Sequence, residues 1–133
     1  MESQTFLYVE DDAKSRDVMQ FILEDDLGHK VFIFQDSTDF IERVEDLPTI
    51  PNLVFLDIHV PPHDGFTMLS MLRGHEQYKN VHIVALTASV MSEEIEQLKR
   101  AGFDSCLAKP IRMTTFSEVL ARLIAGEKIW RIG

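Results

Sequence analysis

The segment Asn52-Leu53-Val54-Phe55-Leu56-Asp57 sets the architecture of this chain, because four consecutive apolar residues lead directly to one carboxylate. A strand that is apolar on both faces is typical of a parallel sheet that helices cover on both sides. The Asp57 carboxylate is costly to bury there unless it has a partner or a function. The segment therefore predicts a central parallel strand and makes Asp57 the first residue to explain.

Four other short apolar runs flank this segment along the chain, and amphipathic stretches separate them. We expect strands at residues 5–9, 31–34, 81–86 and 103–107, in addition to 53–56. We expect a helix after each strand, since apolar residues recur there with helical spacing. Strands that alternate with helices imply a parallel sheet with right-handed crossovers. The sequence thus predicts an α/β fold of five βα units.

Polar residues near the expected helix starts predict where four of those helices begin. Side-chain oxygens at such positions accept hydrogen bonds from the free N–H groups of the first helical turn. The predicted starts are Asp36 or Ser37 for the second helix, Asp64 for the third, Ser92 for the fourth, and the capping-box pair Thr115 and Glu118 for the fifth.

The length of the chain indicates a single domain, and its charge argues against nucleic acid and anionic membranes as partners. A chain of 133 residues fits one domain, which we expect to span residues 1–126. Residues 127–133 are expected to form a short tail, of which Ile129 and Trp130 could pack back on the domain. The net charge of −9 argues against direct binding to nucleic acid or to anionic membranes, since both require a basic patch.

Cysteine content and hydropathy predict a reducing, cytoplasmic location. The single cysteine, Cys106, excludes an internal disulfide bond and disfavours a zinc cluster. No signal peptide is visible at residues 1–4, and no apolar run approaches the ~18 residues of a membrane span.

Polar residues follow the expected strands at the edge of the sheet where doubly wound folds bind ligands, outside the carboxyl ends of the strands. Carboxylates that converge there repel one another, and a divalent cation offsets that repulsion. Oxygen ligands without cysteine favour Mg²⁺ or Mn²⁺ over zinc. A hydroxyl and a lysine beside such a carboxylate are suited to handling a phosphoryl group. The residues in question are Glu10, Asp11, Asp57, Thr87 and Lys109.

These residues lie in motifs through which the chain resembles the receiver domain of two-component response regulators, from about residue 5 to residue 124. The motifs are Val9-Glu10-Asp11-Asp12, Asp57 with the following Pro61 and Asp64-Gly65, Leu86-Thr87-Ala88, and Lys109-Pro110. The resemblance implies a flavodoxin-like, doubly wound five-stranded parallel sheet with strand order 2-1-3-4-5.

The resemblance also implies a role for each residue at the strand ends. Asp57 would be the phospho-acceptor. The ligands of Mg²⁺ would be Glu10, directly or through water, together with Asp11, Asp57 and the backbone carbonyl of His59.

Two further residues of the resemblance would act on the phosphoryl group itself. Thr87 would donate a hydrogen bond to a phosphoryl oxygen. Lys109 would pair first with Asp57 and then with the phosphoryl group, and its bond to Pro110 would be cis. The family usually has an aromatic residue three positions before this lysine, where the present chain has Cys106.

The function that the resemblance implies is a phosphorylation switch rather than an enzyme. The domain would take a phosphoryl group from a histidine kinase or a histidine phosphotransfer protein and change its contacts with a downstream protein that the sequence does not identify. It would assist only its own phosphorylation and dephosphorylation. The outer edge of the apolar stripe at residues 116–124 could serve a homodimer.

Three other functions are compatible with parts of the pattern. A magnesium-dependent phosphatase with an aspartyl nucleophile would need an aspartate two residues after Asp57, where the chain has His59. A flavodoxin-like flavin carrier would need a phosphate-binding loop after the first strand, where the acids at 10–12 would repel phosphate. A pseudo-receiver used only for binding would not need the acids and Lys109.

Overall fold

The computed structural model describes residues 3–132, whose strands form one six-stranded parallel sheet with the order β2-β1-β3-β4-β5-β6. The α/β class and the predicted order 2-1-3-4-5 are confirmed, and one further strand extends the sheet beyond β5. The strands are β1 Thr5–Val9, β2 Lys30–Phe34, β3 Leu53–Asp57, β4 His82–Thr87, β5 Ser105–Ala108 and β6 Trp130–Ile132.

A helix follows each of the first five strands, as the sequence predicts. The helices are α1 Ala13–Gln20, α2 Phe40–Glu45, α3 Gly65–Arg73, α4 Ser92–Ala101 and α5 Met113–Ile124. Helix α1 continues without a break into a π-helix, Phe21–Asp26, and a single 3₁₀ turn covers Glu76–Tyr78. Within residues 3–132, no helix combines the length and the apolar character that crossing a membrane requires.

Strand β3 runs through the middle of the core and is buried at all five positions. Leu53 and Phe55 point to the layer that α1 and α5 cover, whereas Val54 and Leu56 point to the layer under α2, α3 and α4. Burial of each such side chain contributes about 2 kcal/mol. This two-sided packing holds Asp57, the last residue of β3, in a fixed position at the carboxyl end of the sheet.

The predicted tail contains the sixth strand. Ile129 is buried, Trp130 is partly buried, and β6 pairs with β5 in parallel. The sequence did not predict this strand, because three residues are too few to show an alternating pattern. Residues 1, 2 and 133 of the predicted domain and tail lie outside the described residues. The division into a domain at 1–126 and a tail at 127–133 stays a prediction.

Two of the predicted helix starts are confirmed. Asp64 caps α3, since its Oδ1 accepts a hydrogen bond from the backbone N–H of Thr67 (2.8 Å). Helix α4 begins at Ser92 and ends before Gly102, whose φ of +112° lies in the left-handed region that glycine tolerates.

The other two predicted helix starts were wrong. Helix α2 begins at Phe40, because Asp36 closes a turn by accepting from the Thr38 N–H (3.0 Å) and Ser37 bonds the backbone of His63 instead. Helix α5 begins at Met113, so Thr115 lies inside its first turn rather than before it.

Candidate functional site

Two buried carboxylates meet at the carboxyl edge of the sheet because β1 and β3 are neighbours. Val9 pairs with Leu56, so the residues that follow them, Glu10 and Asp57, lie side by side. The exposed fraction is 0% for Glu10 and 4% for Asp57. Asp11 lies beside them and is exposed, and one carboxylate oxygen from each of the three acids lies within 4.8 Å of the others. We call these three residues the acidic cluster.

The Lys109 side chain bridges the two buried acids. Its Nζ lies 2.7 Å from Asp57 Oδ2 and 2.9 Å from Glu10 Oε1. Lys109 follows β5, two strands away from β3, and its backbone N–H donates to the carbonyl of Thr87 (2.9 Å). Its peptide bond to Pro110 is cis, as the resemblance implies. The structure thus brings together four of the predicted site residues: Glu10, Asp11, Asp57 and Lys109.

Glu10 has further partners that the sequence reasoning missed. The Tyr8 hydroxyl donates to Glu10 Oε1 (2.9 Å), and the backbone N–H of Asp12 donates to Oε2 (3.2 Å). Arg16 donates to the backbone carbonyl of Glu10 (3.0 Å). The contact with Tyr8 was available from the sequence, since the alternation of β1, continued by one residue past its end at Val9, puts positions 8 and 10 on the same face.

Burial and neighbouring groups shift the pKa values of the two buried acids, Glu10 and Asp57, in opposite directions. Burial and the neighbouring Asp57 raise the pKa of Glu10 from 4.5 to about 7. Burial also acts to raise the pKa of Asp57, but hydrogen bonds from Glu10, from Lys109 and from the His59 N–H outweigh it, so that pKa is lowered. Below about pH 7 the metal-free pair therefore holds a proton on Glu10 and a negative charge on Asp57.

Lys109 and Tyr8 respond to the same two acids. Burial acts to lower the pKa of Lys109, but the adjacent Asp57 and Glu10 raise it overall, so the ammonium group keeps its charge. Burial and Glu10 raise the pKa of Tyr8, so its hydroxyl stays a hydrogen-bond donor. The site thus contains fixed donors around two carboxylates that compete for one proton.

The chemistry of the acidic cluster fits a hard divalent cation. Three carboxylates and a single lysine leave an excess of negative charge, and all the side-chain donors are oxygens. The His59 N–H donates to Asp57 Oδ1 (2.9 Å), which orients that carboxylate. That the backbone carbonyl of His59 is a metal ligand stays a prediction.

Thr87 lies at the end of β4, the strand next to β3, and is buried. Its hydroxyl accepts a hydrogen bond from the backbone N–H of Ser89 (3.1 Å). This bond connects the end of β4 to the loop at residues 88–91, which leads into α4. Its role toward a phosphoryl group stays a prediction.

A cleft of about 330 Å³ opens beside Lys109, between the start of α1 and the loop after β5. Its walls combine the phenol of Tyr8 and the stem of Lys109 with polar residues of α1. The lining residues are Tyr8, Asp12, Lys14, Ser15, Val18, Lys109, Pro110 and Ile111.

Solved structures of known proteins share the fold. Chemotaxis response regulator CheY4 of Vibrio cholerae superposes with a TM-score of 0.82 at 24% identity, covering 92% of this chain and 99% of that one. The receiver domain of sensor histidine kinase PA1611 from Pseudomonas aeruginosa, solved with a magnesium ion in its active-site cleft, gives a TM-score of 0.79 at 27% identity. That match covers 93% of this chain and 99% of that one.

The curated relatives include signalling proteins, of which the chain matches a part, and one small uncharacterised protein. A 14.6 kDa uncharacterised protein of Leptolyngbya boryana is 30% identical, over 79% of this chain and 78% of that protein. Response regulator Rre1 of a Synechocystis strain is 28% identical, over 96% of this chain. The match spans 54% of that regulator, and it spans 8% of hybrid signal transduction histidine kinase D of Dictyostelium discoideum.

The family comparison covers most of the chain. The model of the response regulator receiver domain matches residues 6–121, which include the strand ends that carry the acidic cluster, Thr87 and Lys109. The chain therefore belongs to the response regulator receiver domain family.

Proposed function

We propose that this domain accepts a phosphoryl group on Asp57 in the presence of Mg²⁺ and thereby changes its contacts with other proteins. The observation that carries the proposal is the pair of short contacts from Lys109 Nζ to Asp57 (2.7 Å) and to Glu10 (2.9 Å), in a site with an excess of negative charge. A lone structural ion pair would not need the second and third acids.

In the proposed reaction an Asp57 oxygen attacks the phosphorus atom of the donor. The bond between phosphorus and the donor's histidine nitrogen breaks, and its electron pair stays on that nitrogen. Asp57 can act as the nucleophile because its lowered pKa keeps it ionised. Lys109 would pair with the transferred group, and the Thr87 hydroxyl would donate to one of its oxygens.

Residues Glu10, Asp11 and Asp57, with the backbone carbonyl of His59, would hold the magnesium ion. When bound, Mg²⁺ (or Mn²⁺) supplies positive charge that offsets the charge of the acids and of the phosphoryl oxygens. Support comes from the oxygen-only donor set and from a relative with 27% identity whose structure contains magnesium in its cleft.

The proposed partners are a histidine kinase or a histidine phosphotransfer protein upstream and a protein target downstream. Several relatives are histidine kinases in which the matching region is a small part. Lys109, which contacts Asp57, lines one wall of the cleft between α1 and the loop after β5, and a donor protein could dock beside it. The predicted cytoplasmic location and the homodimer belong to the same proposal, and no direct contact with nucleic acid or membrane is expected.

We propose no turnover of other substrates. A phosphatase with an aspartyl nucleophile needs an acid two residues after Asp57, and the residue there is His59, whose backbone N–H already binds Asp57 Oδ1. A pseudo-receiver is disfavoured because the buried acids and Lys109 are assembled at contact distance.

The test is incubation with acetyl phosphate and Mg²⁺, followed by intact-protein mass measurement. The wild type should gain one phosphoryl group that hydroxylamine removes, as it does from an acyl phosphate. Asp57→Asn should gain none, and EDTA should prevent the reaction of the wild type. Asp17→Asn removes an exposed carboxylate on α1 and serves as the matched control, which should react like the wild type. Normal labelling of Asp57→Asn would contradict the proposal.

A further inference from the structure

Residues 127–132, which we call the β6 segment, dock on the edge of β5 through backbone hydrogen bonds. The Cys106 N–H donates to the carbonyl of Ile129 (2.8 Å), and β6 then pairs with β5 at Cys106 and Leu107. Ile129 is only 3% exposed and packs into the core layer under α1 and α5. The segment thus occupies an edge of the sheet that would otherwise be open to another strand.

A buried hydroxyl on β5 provides a specific anchor for this segment. Ser105 is 0% exposed, and its Oγ accepts a hydrogen bond from the Ile129 N–H (2.9 Å). The same hydroxyl is hydrogen-bonded to His82 Nε2 on β4 (2.7 Å). Because burying a hydroxyl is costly without such partners, Ser105 makes β5 complementary to the docked segment.

Trp130 connects the β6 segment to α4. It is in register with Cys106 and packs against the core layer under α2, α3 and α4. The Lys99 Nζ of α4 lies 5.2 Å from the centre of its ring, within the range of a cation–π contact. The Trp130 ring is therefore in direct contact with a side chain of α4, so a movement of α4 would change its surroundings.

Two connections lead from this contact back to Asp57. Thr87 holds the Ser89 N–H, and the loop that contains Ser89 leads into α4. Strand β5 itself leads from the Ser105 anchor to Lys109, which binds Asp57. A movement of Thr87 and Lys109 can thus displace both elements that the β6 segment contacts, namely β5 and α4.

We propose that the β6 segment is an intramolecular strap that fits the unmodified domain and loosens when Asp57 is phosphorylated. This inference rests on the proposed function of Asp57. A phosphoryl group recruits Thr87 and Lys109, which shifts α4 against Trp130, so the docked segment loses part of its complementarity. Linkage is reciprocal, so loosening the strap favours modification of Asp57 by the same factor.

The experiment uses Trp130, the single tryptophan of the chain, as the reporter. Acrylamide quenching of its fluorescence is measured in the full chain with Mg²⁺, before and after adding beryllofluoride, which mimics the phosphoryl group on an aspartate. The quenching constant should rise by about twofold or more. We expect this rise if phosphoryl mimicry changes the equilibrium between the docked and the loosened β6 segment by ~5-fold or more. Asp57→Asn should show no rise.

Fluorine NMR on the same samples shows whether beryllofluoride is bound. A bound fluorine signal with unchanged quenching overturns the strap and leaves the proposed function standing. Absence of the bound signal overturns the proposed function itself.

Ser105→Ala tests the reverse direction of the coupling. The variant lacks the anchor, so Trp130 should already be more quenched without beryllofluoride, and the apparent affinity for beryllofluoride should rise by about fivefold. Ser70→Ala removes an exposed hydroxyl on α3 and should behave like the wild type. An affinity of Ser105→Ala equal to that of the wild type, despite increased quenching, contradicts the coupling.

Discussion

Two clusters of charged side chains lie at opposite ends of the sheet and differ in their balance of charge. At the amino ends of β4 and β5, Arg73 pairs with Asp104 at 2.7 Å, and the more exposed Lys128 lies 3.8 Å from the same carboxylate. The Asp104 Oδ2 also accepts from the Ile83 N–H (2.9 Å). Arg73 also donates to the backbone carbonyls of Tyr78 and Val81 (2.8 Å each), so among the described residues the carboxylate of this pair has no like-charged neighbour and the guanidinium has several acceptors.

At the carboxyl ends of β1, β3 and β5, the three carboxylates of the acidic cluster lie beside one lysine, Lys109. The two buried acids of the cluster differ in pKa, since that of Glu10 is raised and that of Asp57 is lowered. A second buried carboxylate beside Asp57 adds repulsion, which a purely structural ion pair would not require. The comparison teaches that two buried carboxylates that share one lysine, rather than an ion pair as such, mark the candidate functional end of this sheet.

The largest expected effect is a pH dependence of stability in the metal-free protein. The pKa of Glu10 is raised from 4.5 to about 7, chiefly by burial. A carboxyl group with a raised folded-state pKa contributes stability that is complete below the unfolded-state pKa of 4.5 and is lost as pH rises through about 7. In EDTA the free energy of unfolding should therefore fall by roughly 2–3 kcal/mol over this window.

The control for this prediction is Glu10→Gln, which has no titrating group at that position. His29 and His82 act in the opposite direction below pH 6.5, because burial lowers both pKa values. The quantity to compare is therefore the difference in unfolding free energy between wild type and variant, measured by urea titration at each pH. A difference that stays constant from pH 4.5 to 8 would show that the two ends of the sheet do not differ in this way.

The next effect in size is the loss of a matched charge at the other end. Asp104→Asn leaves Arg73 without its carboxylate and should lower the free energy of unfolding by about 2 kcal/mol. The loss is smaller than for a fully buried pair, because the side chains of Arg73 and Asp104 are 25% and 21% exposed. Urea unfolding at pH 8 measures it, with Asp17→Asn as the exposed control, and equal stability of both variants would contradict the assignment.

The sequence could place part of the site because the rules that place it are local. Parallel strands end at one edge of the sheet, so polar residues after apolar runs are brought together there. This is how Glu10, Asp57 and Lys109 were singled out, and the structure puts them at contact distance. The five strands were found for the same reason, since each is a short apolar run with its own boundaries.

What the sequence could not place depends on contacts between distant residues. The pairing of Arg73 with Asp104 has no local signature. For β6 the sequence indicated only that Ile129 and Trp130 could pack back on the domain, not that they pair with β5. The start of α2 was missed because the Asp36 carboxylate accepts from the Thr38 N–H in its own turn and pairs with Arg43. In each case the tertiary surroundings decide among side-chain roles that the sequence allows equally.

A smaller effect of opposite sign is expected for the matched substitution in the acidic cluster. Asp57→Asn removes one of two competing buried carboxylates and leaves Glu10 paired with Lys109. The metal-free variant should be more stable than the wild type by about 1 kcal/mol at pH 8, where both acids of the wild type are ionised. Urea unfolding in EDTA measures it beside Asp104→Asn, and a loss of stability in both variants would remove the contrast between the clusters.

The smallest effect concerns Lys128, the second cation near Asp104. Its Nζ lies 3.8 Å from Asp104 Oδ1, but its side chain is 65% exposed, so solvent screens the pair. Lys128→Met should change the free energy of unfolding by less than about 0.5 kcal/mol. Since Lys128 belongs to the β6 segment, a loss as large as that of Asp104→Asn would mean that Asp104 acts mainly by holding this segment. The pair of Arg73 and Asp104 would then help to hold the β6 segment in place, in addition to stabilising the sheet.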